Sequence, residues 1–276
     1  MAPPPETLGI IAGSRSLPFR LAAQARAAGV KRLVVAAFEK ETDPALAEIA
    51  DEIEWLRVGQ LGRLCKTFAA RGVRHCVMAG QIAPKNLFDL RPDLRAMALL
   101  MRLKEKNAQT LFAGIADELA KDGVELISAV PLLEPLMPRA GFRQGPDLTE
   151  HQQADIRFAY RIAKEVSRLE IGQIVVVKDG TVLAVEGFEG TDKCLARGGE
   201  LAGKKGGAVA VKVAREGHDM RFDIPCVGER TLNVCADAGV AVLALEAGRT
   251  LVLEEEEVAK LCASRKITLT TITETA

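Results

Sequence analysis

The sequence predicts an α/β protein of two domains, and three observations lead to this prediction. Short apolar runs alternate with helix-like stretches through the first half, a pattern typical of parallel strands joined by helices. A segment rich in proline and glycine then interrupts regular structure at Pro131–Pro146. Strands become more frequent after it, and Asp179-Gly180 between two apolar runs is a strong hairpin signal, so the second sheet should be mixed.

In the first half, each predicted strand is a short, mostly apolar run, and several predicted helices end at a glycine. Gly29, Gly72 and Gly123 are these stops, because glycine readily adopts the left-handed backbone that ends a helix. The predicted strands are Leu8–Gly13, Arg32–Phe38, Glu52–Val58, His75–Gly80 and Val124–Val130. The predicted helices are Leu17–Ala28, Pro44–Ala50, Leu61–Arg71, Pro92–Leu103 and Ala108–Asp122.

The second half opens with the clearest helix, Glu150–Arg168, in which Ile156, Ala159 and Ala163 share one face at helical spacing. The further predicted helices are Thr191–Leu201, Thr231–Ala238 and Glu254–Ser264. The predicted strands are Gln173–Lys178, Thr181–Glu186, Ala208–Ala214, Ala241–Leu245, Thr250–Leu253 and Ile267–Ile272. We therefore predict a Rossmann-like N-terminal domain with a mostly parallel sheet (1–132), a linker (133–148) and a second α/β domain with a mixed sheet (149–276).

Composition excludes several classes of protein. Thirty-seven basic residues balance thirty-seven acidic ones, whereas a nucleic-acid carrier usually has a basic excess, so we expect no nucleic-acid partner. The six cysteines lack zinc-finger spacing and should be reduced and mostly buried. No apolar run reaches the roughly 20 residues of a spanning helix, and the N-terminus lacks a signal-peptide pattern. A cytoplasmic protein is expected, with peripheral attachment to a membrane left open.

Two glycine-bearing strand ends should lie at one edge of the first sheet. Gly13, Ser14 and Leu17 follow the first predicted strand, and Gly80 and Gln81 follow the fourth. Backbone N–H groups at a helix N-terminus attract phosphate, so these residues are candidates for nucleotide contact. A tight turn without a ligand is the alternative. The third glycine of a dinucleotide fingerprint is missing, which makes a nucleotide-cofactor oxidoreductase a weaker reading.

Charged residues gather in two segments of the second half. The segment Glu186–Lys193 holds three carboxylates around two glycines, and such oxygen ligands suit Mg²⁺ shared with a phosphate; a simple helix cap at Thr191 or Asp192 is the alternative. In Arg221–Pro225, alternation predicts that Arg221 and Asp223 share one strand face. Basic residues including Arg197 and Lys212 recur nearby in the sequence. Cations and carboxylates together favour phosphoryl chemistry on an anionic substrate.

These motifs resemble the UDP-2,3-diacylglucosamine pyrophosphatases of the LpxI type, enzymes of lipid A biosynthesis. The resemblance rests on motifs whose order and spacing fit over nearly the whole chain. They are Leu8–Pro18 (LGIIAGSRSLP), Leu169–Val177 (LEIGQIVVV), Val182–Asp192 (VLAVEGFEGTD), Arg221–Gly228 (RFDIPCVG) and Thr231. The second-half motifs are the most specific of these.

The resemblance implies a hydrolase dependent on Mg²⁺, or on Mn²⁺ in its place, that cleaves UDP-2,3-diacylglucosamine to UMP and 2,3-diacylglucosamine 1-phosphate (lipid X). It implies two α/β domains with the substrate held between them. The aspartate of the R-x-D-x-P motif, the family's key catalytic position, maps onto Asp223. We expect Asp223 to ligate the metal or orient water, with Asp192 and Glu189 as further metal candidates.

The remaining expected site residues serve the substrate. Arg221, Arg197 and Lys212 should balance the diphosphate, while Gly190, Thr191 and Thr231 complete the substrate-binding set with the strand-end residues above. The amphiphilic substrate implies contact with the inner leaflet of a membrane; a homodimer is left open. A nucleotide-cofactor oxidoreductase and a non-catalytic binder of a UDP-sugar lipid are the alternatives.

Overall fold

The structure is a computed structural model that describes residues 3–82, 92–105, 108–214, 219–222 and 224–274. The chain divides into two compact units. Unit 1 comprises Met1–Leu133 together with the short segment Asp219–Asp223, and unit 2 comprises Glu134–His218 and Ile224–Ala276. No helix of the described residues is long and apolar enough to cross a membrane.

Unit 1 contains a five-stranded sheet in which every pairing is parallel. Its strands are β1 (Thr7–Ala12), β2 (Arg32–Phe38), β3 (Glu52–Leu56), β4 (His75–Ala79) and β5 (Glu125–Leu126), in the order β3-β2-β1-β4-β5. The central strand β1 is buried from Leu8 to Ala12 because strands pair with it on both sides and helices cover the sheet. The predicted Rossmann-like parallel sheet is confirmed.

The helices of unit 1 are α1 (Leu17–Ala27), α2 (Leu61–Ala70), α3 (Leu94–Arg102), α4 (Ala108–Lys121) and α5 (Val130–Leu133), with a 3₁₀ helix at Pro44–Glu48. The core on one face of the sheet lies under α2, where Phe68 and Val34 are fully buried. The strand predicted over Val124–Val130 is wrong beyond Leu126. Ser128 Oγ accepts the Val130 N–H at 3.2 Å and starts the helical turn α5 instead.

Unit 2 contains a six-stranded mixed sheet and a separate two-stranded ladder. Its strands are β6 (Arg143–Gln144), β7 (Ile174–Lys178), β8 (Thr181–Val185), β9 (Ala208–Lys212), β10 (Cys226–Val227), β11 (Val240–Glu246), β12 (Leu251–Val252) and β13 (Thr268–Ile272). The large sheet has the order β6-β13-β11-β9-β7-β8. Strand β11 pairs in parallel with β9 and β13, whereas β7 pairs antiparallel with β8 and β9. The predicted mixed sheet and the hairpin at Asp179-Gly180 are confirmed.

The helices of unit 2 are α6 (Glu150–Arg168), α7 (Thr191–Leu201), α8 (Glu229–Ala238) and α9 (Glu255–Arg265). Two adjacent glycines place α7 close to its neighbours. A Cβ at Gly198 would lie 2.6 Å from the Val176 side chain of β7, and one at Gly199 would lie 2.1 Å from the Ala238 carbonyl of α8. This close packing holds the C-terminal half of α7 against β7 and α8.

The stretch predicted as a linker, 133–148, carries short pieces of regular structure. A 3₁₀ turn forms at Glu134–Leu136, and β6 pairs antiparallel with β13. Thr268 Oγ1 also donates to the Pro146 carbonyl at 2.9 Å. Residues 134–148 are counted in unit 2, since these hydrogen bonds tie the second part of the stretch to the sheet.

Candidate anion site at the start of α7

A buried lysine is the most informative side chain of unit 2. Lys212 ends β9 and is only 7% exposed. Among the described residues its ammonium contacts neutral oxygens alone: Thr191 Oγ1 at 3.4 Å and the Cys226 carbonyl at 3.3 Å. Burying an ammonium group costs free energy unless an anion accompanies it. The position therefore suits an anionic ligand.

Thr191 connects this lysine to a buried carboxylate. Its hydroxyl donates to Glu186 Oε1 at 2.9 Å and accepts from Lys212. Glu186 follows β8, is 8% exposed, and accepts the Gln173 N–H at 2.8 Å through its other oxygen. The carboxylate thus fixes Thr191 at the first position of α7. The hydroxyl in turn holds the Lys212 ammonium next to the helix N-terminus.

The N-terminus of α7 is open because its cap residue has no side chain. Gly190 has φ +83°, a left-handed conformation that favours glycine, and it makes no side-chain hydrogen bond to the first turn. The N–H groups of this turn and the positive end of the helix dipole favour an anion. With Lys212 beside it, the start of α7 combines a buried cation and backbone donors, as a phosphate site requires.

Two predicted metal ligands near this helix start are ion-paired to arginines. Glu189 lies 2.5 Å from Arg197, which lowers the pKa of the carboxyl and raises the pKa of the guanidinium. Asp192 lies 2.7 Å from Arg230 of α8. No group of three or more metal-ligating side chains forms within the described part of the chain. These residues alone do not make a magnesium site, and Asp223 lies outside the described residues.

In unit 1 the two predicted strand-end turns are hydrogen-bonded to each other. Ser14 donates its N–H and its hydroxyl to the Gln81 carbonyl, both at 2.8 Å, and the two residues form an isolated bridge. A Cβ at Gly13 would lie 2.6 Å from that carbonyl, and one at Gly80 would lie 2.6 Å from the Ser14 carbonyl. This close approach of two turns requires both glycines, whether or not a nucleotide binds there.

The prediction that Arg221 lies on a strand is wrong. The described residues Asp219–Phe222 form a turn, with the Phe222 N–H donating to the Asp219 carbonyl at 3.0 Å. Arg221 donates to both carboxylate oxygens of Asp219 and lies 5.1 Å from the Phe222 ring centre, and the Asp219 carboxylate raises the pKa of Arg221. Phe222 stacks on Phe112 of α4, with ring centres 6.0 Å apart. Local pairing and this stacking favour a turn over an extended strand.

Comparison with known proteins identifies the family. The family model of the LpxI N-terminal domain matches residues 7–136, and that of the LpxI C-terminal domain matches residues 139–270. The chain belongs to the LpxI family. It is also similar to the UDP-2,3-diacylglucosamine pyrophosphatase LpxI of Caulobacter vibrioides, with 34% identity over 264 residues that cover 91% of this chain and 92% of the relative.

Of the site residues predicted from the LpxI resemblance, Gly190, Thr191 and Lys212 come together, with Asp192, Glu189 and Arg197 next to them along the same loop and helix. Thr231 lies in the first turn of α8, and Leu17 is the first residue of α1. The predicted set omitted Glu186 and the Cys226 carbonyl. Glu186 could have been found from the sequence, because it is an acidic residue directly after an apolar strand. The contact of Lys212 with the Cys226 carbonyl could not, because a backbone acceptor leaves no pattern in the side chains.

Proposed function

We propose that this LpxI-family protein hydrolyses the pyrophosphate bond of UDP-2,3-diacylglucosamine, giving UMP and 2,3-diacylglucosamine 1-phosphate. The observation that carries the proposal is the buried Lys212 at the open N-terminus of α7, a site suited to a phosphate group. The name of the Caulobacter relative supplies the substrate, and the match covers nearly the whole of both chains.

The described residues support a role in holding and stabilising the diphosphate. Backbone N–H groups of the α7 first turn and the Lys212 ammonium would donate hydrogen bonds to phosphate oxygens. Such preorganised donors stabilise the negative charge that develops on these oxygens as the anhydride breaks. Glu186 contributes by keeping the Thr191 hydroxyl oriented toward Lys212, and it need not touch the substrate.

The activation of water is assigned to Asp223, as part of the proposal. Asp223 is the match to the aspartate of the family motif R-x-D-x-P. We propose that it orients the attacking water or ligates Mg²⁺, with Mn²⁺ as a substitute. Asp192 and Glu189 remain candidate ligands because their ion pairs with arginines are partly exposed, and exposed ion pairs contribute little to stability. A metal supplies charge neutralisation for the diphosphate when bound.

The place of action follows from the substrate. UDP-2,3-diacylglucosamine carries acyl chains, so we propose that the protein meets it at the inner leaflet of a membrane through peripheral contact. Recovery of the protein with vesicles that contain the substrate, and its release by a salt wash, would support this. Retention after the wash would contradict attachment by charge. Whether the protein forms a homodimer is tested by its molar mass in light scattering.

One assay separates the proposed function from its alternatives. Purified protein is incubated with UDP-2,3-diacylglucosamine and Mg²⁺, and UMP is measured. UMP release proportional to enzyme concentration is expected. Tight binding without release would indicate a non-catalytic binder of a UDP-sugar lipid. If the protein instead releases no UMP and binds NAD(P), and if the Asp223→Ala variant binds NAD(P) equally well, the nucleotide-cofactor oxidoreductase would be indicated.

A further inference from the structure

Unit 1 has an open depression at the carboxyl ends of β2 and β3, remote in sequence from the α7 site. Its volume is about 650 Å³. It is lined by Glu39, Lys40, Glu41, Thr42, Pro44, Ala47 and Trp55. In open parallel sheets, ligands bind outside the carboxyl ends of the strands, at the point where the strand order reverses. In this sheet that point lies between β1 and β4, and the depression lies further along the same edge, at the ends of β2 and β3.

Glu39 lines this depression and carries an exposed carboxylate. It directly follows β2, and its N–H donates to the Leu56 carbonyl of β3 at 2.8 Å. The next residue, Lys40, has φ +67°, and Thr42 N–H closes the turn on the Phe38 carbonyl at 2.9 Å. Among the described residues, no hydrogen bond or ion pair engages the exposed Glu39 carboxylate. An acidic residue at this strand end accepts hydrogen bonds from ribose hydroxyls in nucleotide-binding sheets.

The other wall of the depression contains the single tryptophan of the chain, Trp55. On β3 its neighbour Glu54 is ion-paired with Arg63 and Arg71. Because side chains alternate along a strand, Trp55 lies on the opposite face of the sheet from that network. Its indole is partly exposed and lines the depression. An aromatic ring of this kind can stack on a nucleobase.

The charges of the depression distinguish between the parts of a nucleotide. Two carboxylates and one ammonium line it, a balance that disfavours a phosphate inside. A neutral nucleoside with hydroxyl groups suits it better. Thr42 also ties the depression to the end of β1, because its hydroxyl donates to the Ala12 carbonyl at 2.5 Å. Ala12 directly precedes the turn that leads into α1, a helix N-terminus of the kind that favours a phosphate.

We propose that this depression binds the ribose and base of a uridine nucleotide, with Glu39 accepting hydrogen bonds from the ribose hydroxyls and Trp55 against the base. The choice of uracil rests on the proposed function. The occupant is either the uridine end of the substrate or free UMP, which share this chemistry.

The single tryptophan gives a direct test that does not depend on turnover. UMP is titrated into the intact protein while Trp55 fluorescence is recorded, with inorganic phosphate and 2′-deoxy-UMP as parallel titrations. Saturable quenching by UMP, weaker binding of 2′-deoxy-UMP and no response to phosphate are expected. Equal quenching by phosphate, or no response to UMP at millimolar concentration, would overturn the proposal.

Two exposed glutamates provide a matched pair of variants. Glu39→Gln should weaken UMP binding about tenfold, because a hydrogen bond to a charged group is lost, and should abolish the preference over 2′-deoxy-UMP. Glu48→Gln, in the adjacent 3₁₀ helix but outside the lining, should bind as the parent does. Unchanged UMP binding by Glu39→Gln would contradict the assignment.

Turnover of UDP-2,3-diacylglucosamine identifies the source of the ligand. A raised KM with unchanged kcat in Glu39→Gln would assign the site to the uridine end of the substrate. Loss of UMP inhibition with unchanged KM would assign it to free UMP. UMP binding without any hydrolysis would reject the proposed function and leave this site standing. Hydrolysis of UDP-2,3-diacylglucosamine without a change in Trp55 fluorescence on addition of UMP would reject this site and leave the proposed function standing.

Discussion

At the scale of single residues, Lys212 is the side chain whose environment points most directly to function. Its 7% exposure and its neutral partners among the described residues are unfavourable for the folded protein, since a buried ammonium lacks the water that would solvate it. The bound phosphate of a substrate would remove this deficit. Function and stability should therefore respond in opposite directions when the charge is removed.

Lys212→Met should retain or gain thermal stability, because it replaces a buried charge by an apolar side chain of similar length. Its kcat/KM for UDP-2,3-diacylglucosamine should fall roughly 10²–10³-fold, the usual effect of losing one donor to developing negative charge. Melting temperature and initial rates are the measurements. Lys178→Met is the matched control, since Lys178 also donates to a carbonyl, that of Ala202, at 2.9 Å. A large loss of stability with normal turnover would make Lys212 structural.

Asp223→Ala should lower turnover by about 10²–10⁴-fold, the range typical of a lost general acid–base group. Binding of intact substrate should persist, because Lys212 and the N–H groups of the first turn of α7 should still hold the diphosphate. A spin-column assay would then recover uncleaved substrate with the variant. If the variant melts at the parent's working temperature or hydrolyses at the parental rate, the catalytic assignment is wrong.

At the scale of elements, charged networks hold helices in place in unit 1. Glu118 of α4 is 5% exposed and accepts hydrogen bonds from Arg95 and Arg102 of α3 and from Lys121. Lys121, then Arg95, lower the pKa of Glu118 to about 2. A carboxyl with a folded pKa below its unfolded value stabilises the fold when ionised.

Glu118→Gln should therefore destabilise the protein at neutral pH and much less in acid. The contribution of the ionised carboxylate is complete above the ordinary pKa near 4.5 and falls as the pH drops from there toward 2. Urea unfolding at pH 7 and at about pH 2 would measure the difference in unfolding free energy between variant and parent at the two ends of this range. Glu125→Gln is the control, because Glu125 is exposed and lies 3.8 Å from His75. A difference in unfolding free energy between Glu118→Gln and the parent that grows in acid would contradict the assigned network.

At the scale of the whole molecule, each unit has its own sheet and its own buried core, and the two family models match the chain in the same two parts. Only the short segment at Asp219–Asp223 is assigned to unit 1 while its neighbours in sequence belong to unit 2. We propose that the activity also requires a metal ion; no group of three or more metal-ligating side chains forms among the described residues, so Asp223 is needed to complete the proposed ligand set.

Activity should be abolished by EDTA and restored by Mg²⁺ or Mn²⁺ in excess, because carboxylates beside a diphosphate repel it unless a cation intervenes. UMP release is measured before and after chelation. Calorimetric titration of Mg²⁺ into the protein and into Asp223→Ala would show whether Asp223 takes part. Full turnover in chelator would reject the metal and leave hydrolysis through the α7 site in place.

The sequence by itself determined the fold class, most elements and much of the loop that begins α7. Apolar runs, glycine stops and the Asp179-Gly180 turn are local signals, and they correctly predicted β1, β2, α6 and the β7–β8 hairpin. The sequence also predicted the start of α7 at Thr191 correctly, since a glycine followed by a hydroxyl residue at a helix start is recognisable from sequence alone.

Only the tertiary structure decided which of these residues meet. Lys212 and Glu186 are buried around Thr191 because β9, β7 and β8 are neighbours in one sheet, an arrangement that no local spacing encodes. Tertiary packing also decided the conformation at Arg221 and Phe222, where the sequence pattern predicted a strand. Phe222 stacks on Phe112 and Arg221 pairs with Asp219, and these contacts stabilise a turn. Gly13 and Gly80 show the same principle: their contact with each other across two strand ends depends on the pairing of β1 with β4.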